Sequence, residues 1–155
     1  MERDQLAGLG AELRAQLRLL ARVHQRLQDR LVLGLEGAAQ MDSIAYQIHN
    51  LYCAAEDLLK LVATACENQV GSSGGWHRTL LLRMSEPVPG VRPALLSEEL
   101  FDGMNRLRGF RHFVRHAYVT EIDPSQLRSN LTLALTLATE LPLAVQRFMA
   151  ELEGL

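Results

Sequence analysis

In 155 residues the chain has two cysteines, one lysine and five prolines, and aromatic residues make up only 5% of it. Each scarcity excludes something. Cys53 and Cys66 stand 13 positions apart in what reads as one helix, which separates them by about 20 Å along its axis and puts them on different faces. They cannot bridge one another, and reduced thiols in a cytoplasmic protein are the expectation. β-Branched residues are sparse and no stretch alternates polar and apolar for long, so a sheet is not expected. No apolar run reaches the ~18 residues of a membrane span, and the charges at Glu2, Arg3, Asp4, Glu12, Arg14 and Arg18 argue against a secretory leader. A general excess of positive charge is also missing. At a formal net charge of -2 the chain is no broadly basic nucleic-acid coat, although a local basic patch is compatible with that total.

What is present is helical periodicity. With 48% hydrophobic and 22% charged residues, the chain fits one domain over residues 1–155, long enough to bury a core without a disulfide or a structural metal. Apolar residues recur at Leu6, Leu9, Leu13, Leu17, Leu20, Leu27 and Leu31, predicting a first long helix from Arg3 to about Leu35. Beyond Gly34 and Gly37, Ile44, Ile48, Leu51, Ala55, Leu58, Val62 and Ala65 step by four and three. They predict a second helix ending near Gln69. The run 71–75 is rich in glycine and serine and reads as a flexible break. Trp76 to Met84 follows as a short helix, and a proline-rich connector reaches Pro93. Ser97 before Glu98 and Glu99 is an N-cap signal for a third long helix reaching about Val119. Asp123, Pro124 and Gln126 form a capping-box pattern that opens a fourth, to about Leu152, with a kink expected at Pro142. The expected fold is all-α: an up-and-down bundle of four long helices with one short helical excursion.

The third long helix carries the chemistry. At about 100° per residue, Met104, Leu107, Val114 and Tyr118 fall within about 40° of Leu100, and Arg111 lies inside the same stripe. An inward arginine needs an acidic or phosphate partner, or a crevice. The opposite face holds Asn105, Gly109, His112 and His116, where the glycine would let another backbone approach. Between residues 101 and 120, Arg106, Arg108, Arg111 and Arg115 face a single acid, Asp102, a local excess that would draw a phosphate-bearing ligand.

The string Arg111-His112-Phe113-Val114-Arg115-His116-Ala117-Tyr118 resembles the R-x4-H-x-Y motif of HepT-like toxins, helical members of the HEPN ribonuclease superfamily. Ile48-His49-Asn50-Leu51-Tyr52 with Glu56, Trp76-His77-Arg78, Met84, Arg92-Pro93 and Gly109-Phe110 are similar to landmarks of one HepT-like subgroup, so the likeness spans roughly residues 44 to 125. The resemblance implies the toxin of a toxin–antitoxin pair of type II or VII character. Its activity would be that of a metal-independent endoribonuclease acting on transfer or messenger RNA as a homodimer, with Arg111 and His116 of both subunits at a shared cleft. It implies no cofactor. Its antitoxin would be a minimal nucleotidyltransferase that transfers AMP to Tyr118, in a larger assembly with the dimer. His112, which stands where the family often has a small amide, and Arg115 and Arg108 become RNA-binding or auxiliary residues. Glu56 becomes the candidate orienting acid.

Other readings compete residue by residue. Arg111 could instead be salt-bridged in the core to Glu56 or Asp57, and Glu56 could be an ordinary surface acid. His116 could simply pack, and His49 and His77 read as structural. His112 and His116 at i and i+4 have zinc spacing, but no third ligand is evident, so no metal is expected. A HEPN-type module that binds nucleotide or protein without catalysis is the alternative function. In an ideal helix Arg111 and His116 lie about 140° apart, so a bend near the helix end or a two-fold axis must bring them together.

Overall fold

The structure, a computed structural model, describes residues 1–67, 75–116 and 121–155. Five helices make up the bundle: α1 (Arg3–Leu31), α2 (Ala38–Glu67), α3 (Trp76–Met84), α4 (Glu98–Arg115) and α5 (Pro124–Glu153). The all-α expectation holds, and α2 is the central element, in contact with each of the other four. Its composition explains the position. Buried residues occupy more than half its circumference, from Ile44 and Ala45 through Tyr52 and Glu56 to Val62 and Ala63, whereas α1 buries one narrow leucine stripe. One hydrophobic cluster runs from Leu9 to Leu152, with Leu27, Leu51, Leu58, Leu81, Met104 and Leu141 almost wholly removed from solvent. Among the described residues no helix is long and apolar enough to cross a membrane.

Helix ends follow their local chemistry. α1 stops at Leu31, four residues short of expectation, because Gly34 and Gly37 adopt φ values of 85° and 92° that redirect the chain. The Gln40 amide then donates to the carbonyls of Arg30 (2.6 Å) and Gly34 (2.8 Å), satisfying acceptors exposed as the helix ends. Ser97 Oγ accepts from the Leu100 N–H at 3.2 Å and Asp123 from the Gln126 N–H at 3.0 Å, so both predicted N-caps form. The reciprocal Gln126 bond of a capping box is not among the bonds of the described residues. α5 continues through Pro142 as one helix, Pro124–Glu153. The proline lies on a helix whose inward positions are anchored on both sides, by Leu141, Ala144 and Val145. The expected ends of the second helix near Gln69 and of the third near Val119, and the break at 71–74, lie outside the described residues.

The connector after α3 is ordered by backbone bonds. Val88 and Arg92 exchange N–H donations at 2.9 Å around Gly90, whose φ is 77°, and the N–H groups of Leu95 and Leu96 both reach the Met84 carbonyl at 2.9 Å. This closes the excursion against α2 and leaves the first turn of α3 beside α4.

Candidate active site

Three helices bring polar groups together. α2 supplies His49, Tyr52 and Glu56, spaced by three and four residues so that they share a face. α3 supplies Trp76 and His77. α4 contributes Arg108, Arg111 and Arg115, also on a turn-by-turn ladder, and ends at its C-cap, His116.

Glu56 is 3% exposed, which overturns its reading as a surface acid. One of its oxygens accepts from the Tyr52 hydroxyl at 2.7 Å and from His77 Nδ1 at 2.8 Å, and the other lies 3.8 Å from the Lys60 ammonium. A carboxylate that accepts two hydrogen bonds and lies beside an ammonium is a stable way to bury the charge. Because Nδ1 donates to Glu56, His77 keeps Nε2 as its remaining polar edge. The Trp76 ring lies 3.8 Å from the His77 ring between centroids, and the Lys60 ammonium sits 4.4 Å over the indole. Burial, and then the charge and hydrogen bond of Glu56, push the Tyr52 phenol well above its ordinary 10.0.

Arg111 forms no ion pair with Glu56 or Asp57, so its reading as a core salt bridge is overturned. Glu56 is committed to Tyr52, His77 and Lys60, and Asp57 lies 3.4 Å from Lys60. Arg111 is nevertheless half-buried, and its Nε is a buried donor with no partner among the described residues. Its charge falls on neighbouring groups. His49 is held below its ordinary 6.5 by burial first and then by the positive charges of Arg111 and Arg115. Arg108 and Arg111 also act on Tyr52.

The other sequence-predicted residues lie at the solvent side of α4. His112, Arg115 and His116 are exposed, with the His112 and His116 rings 4.6 Å apart between centroids. Gly109 is exposed, and a side chain built there would meet nothing within 4 Å. The helix is continuous through Arg115 and leaves helical geometry only at His116, where φ is -113° and ψ 12°. No break in the helix therefore lies between Arg111 and Arg115, and within the described chain the arginine is half-buried while the histidine is exposed. Tyr118, the expected modified residue, lies outside the described residues. No group of three or more His, Cys, Asp or Glu is placed to hold a metal among the described residues.

The family model described as HepT-like protein matches residues 43–152. The chain belongs to the HepT-like family. No curated protein and no solved structure matches it. The matched stretch takes in nearly all of α2, then α3, α4 and all but the last residue of α5, and so every polar residue of the site. α1 lies outside it yet packs along α2 and α5.

Two groups escaped sequence reasoning. His77 and Glu56 were each visible, but their pairing across 21 residues was not. The buried Arg92, bonded to Glu67, carries no periodicity signal because it lies in a connector. The usable hint for the first was the i,i+4 spacing of Tyr52 and Glu56 on an otherwise apolar face.

Proposed function

We propose that this HepT-like chain is the RNA-cleaving toxin of a toxin–antitoxin pair, acting as a homodimer without a metal ion. One observation carries the reading. Arg111 stands at the motif position and keeps a buried N–H without a partner among the described residues, a costly arrangement unless an anion completes it. A phosphodiester is such an anion, and a guanidinium suits it because its donors match two phosphate oxygens.

In this reading the ribose 2'-oxygen attacks phosphorus as the bond to the 5'-oxygen breaks. His116 takes the hydroxyl proton or returns one to the leaving oxygen, and Arg111 stabilises the charge that develops on the phosphate. Exposure of His116 supports this, since a histidine that moves substrate protons must reach substrate. The exposed α4 face with Gly109, His112 and His116 is the surface offered to a second subunit, whose His116 would lie across a two-fold axis from the first chain's Arg111. His112, Arg115 and Arg108 would contact RNA. Tyr118, two residues beyond His116, would be the acceptor of AMP from a minimal nucleotidyltransferase, whose added phosphate competes with RNA for the arginines.

Purified protein incubated with cellular RNA in EDTA is expected to cut it, and Arg111→Ala and His116→Ala are each expected to abolish the cutting. RNA bound but left intact by the parent protein would return the chain to a non-catalytic binding module. Cleavage that stops in chelator and resumes with a divalent ion would remove the metal-independent mechanism.

A further inference from the structure

The first turn of α3 and the middle of α4 enclose a cavity of about 330 Å³, at the small end of ligand-site volumes. Gly75, His77, Arg78, Thr79 and Arg108 line it. None of these is acidic, and two are permanently cationic. Ion pairs among the described residues involve neither Arg78 nor Arg108, and residues 68–74 and 117–120 contain no Asp or Glu. The cavity is therefore a concentration of positive charge in a chain of net negative charge.

One of its two arginines is also held in place. Arg108 donates through Nε (3.2 Å) and Nη2 (3.1 Å) to the single oxygen of Asn105, which fixes the plane of the guanidinium while leaving Nη1 for a ligand. His77 is anchored through Nδ1, which donates to Glu56, so its ring forms a fixed wall of the cavity. Glu56 does not cancel this charge at the cavity, because it is buried with Tyr52, His77 and Lys60 as partners. The N-terminal end of the nine-residue α3 adds a weaker preference for an anion. Arg108 also stands one helical turn before Arg111 on α4.

We propose that this cavity is a second phosphate subsite. The RNA phosphodiester next to the one held by Arg111 would seat against Arg78 and Arg108. The RNA-cleaving reading supplies the source of that phosphate, and the cavity supplies its site. A strand with one phosphate at Arg111 continues along α4 toward Arg108, so the subsite sets the direction in which RNA lies.

Trp76, the only tryptophan in the chain and stacked on His77, gives a readout independent of cleavage. Its emission is followed while the protein is titrated, at constant ionic strength, with a 2'-O-methylated oligoribonucleotide that cannot be cut, with 5'-AMP and with inorganic phosphate. The oligonucleotide is expected to change the emission and to bind most tightly. Arg78→Ala and Arg108→Ala are each expected to weaken it about fivefold, by loss of a charge-assisted contact. Each should also lower the slope of log affinity against log salt by about 0.7. Arg147→Ala, an exposed change on α5, serves as the control. Unchanged oligonucleotide affinity in the Arg78→Ala, Arg108→Ala double variant, folded by circular dichroism, would overturn the subsite. So would a response to AMP or phosphate with none to the oligonucleotide. The two proposals fail separately. Arginine-dependent binding by a protein that cuts no unmodified RNA removes the nuclease and keeps the subsite, while cleavage with an unchanged KM in the double variant does the reverse.

Discussion

Two arginines divide this molecule into a region built for stability and a region left short of partners. Arg92, in the connector after α3, is 2% exposed and every donor group is engaged. Its Nε donates to Glu67 at 2.7 Å, Nη1 to the Glu86 and Pro93 carbonyls at 2.8 and 3.0 Å, and Nη2 to the Arg83 carbonyl at 2.8 Å. Arg83 shares the same carboxylate, so one acid ties the end of α2 to the end of α3 and to the connector. Arg111, on α4, has no such set among the described residues, and its Nε is buried without a partner there. A buried cation with all donors satisfied needs nothing further from solution. One that is left incomplete lowers its free energy when an anion arrives, and the same side-chain chemistry therefore serves structure in one place and recognition in the other.

The comparison breaks most visibly at Arg92. Arg92→Ala is expected to cost about 3–5 kcal/mol, because it leaves the Glu67 carboxylate with Arg83 alone and takes the donor from three carbonyls, and the loss is read from the denaturant midpoint at unchanged slope. A loss no larger than that of an exposed arginine would mean that the network is not what holds the connector.

Glu56→Gln comes next, at about 1–3 kcal/mol, since the amide keeps the shape but not the charge that both Tyr52 and His77 donate to. It should also bring the Tyr52 phenol back toward 10.0. In the parent the folded-state value is raised. Tyr52 therefore contributes stability that is complete below pH 10 and is lost as pH rises through the folded value. Ultraviolet titration of tyrosinate is expected to show one late-ionising phenol in the parent and an earlier one in Glu56→Gln.

Arg111→Met is expected to change stability by less than about 1 kcal/mol in either direction, because no side-chain hydrogen bond among the described residues is broken and a donor without a partner there is removed. Cleavage should be lost all the same. A destabilisation matching that of Arg92→Ala would show that Arg111 is a structural residue after all.

The smallest effect sharpens the same point. His49 is held below 6.5 chiefly by burial, with Arg111 and Arg115 adding to it. The unfolded chain therefore takes up this proton first on acidification, so stability is complete above pH 6.5 and declines as pH falls below it toward the folded value. Arg111→Met should raise the His49 value without restoring it to 6.5, as burial remains. The imidazole proton shift in a nuclear magnetic resonance titration measures this, and no movement would place the Arg111 charge away from His49.

The helices and their inward faces were legible in the sequence because they depend on neighbours three and four residues apart. The stripes Leu9-Leu13-Leu20-Leu27 and Leu100-Met104-Leu107 are both buried, and Ser97 and Asp123 cap the helices they precede. The R-x4-H-x-Y string and its landmarks were legible for the same reason, and the family match extends to both sides of them. Periodicity could place Arg111 on an inward stripe, and it left Glu56 open between an orienting acid and a surface one. It could not say that they fail to meet.

That outcome depends on partners far apart in sequence: His77 reaching back 21 residues to Glu56, and Arg92 reaching back 25 to Glu67. Which carboxylate serves which cation is decided by how α3 and its connector dock on α2, a matter of packing among side chains that local spacing does not encode. The sequence by itself thus determined the helices, their caps, their apolar stripes and the family motif. Only the tertiary structure decided that Glu56 belongs to His77, and that Arg111 and the cavity beside Arg108 are left with positive charge uncompensated, because a charge is neutralised by what lies next to it in space.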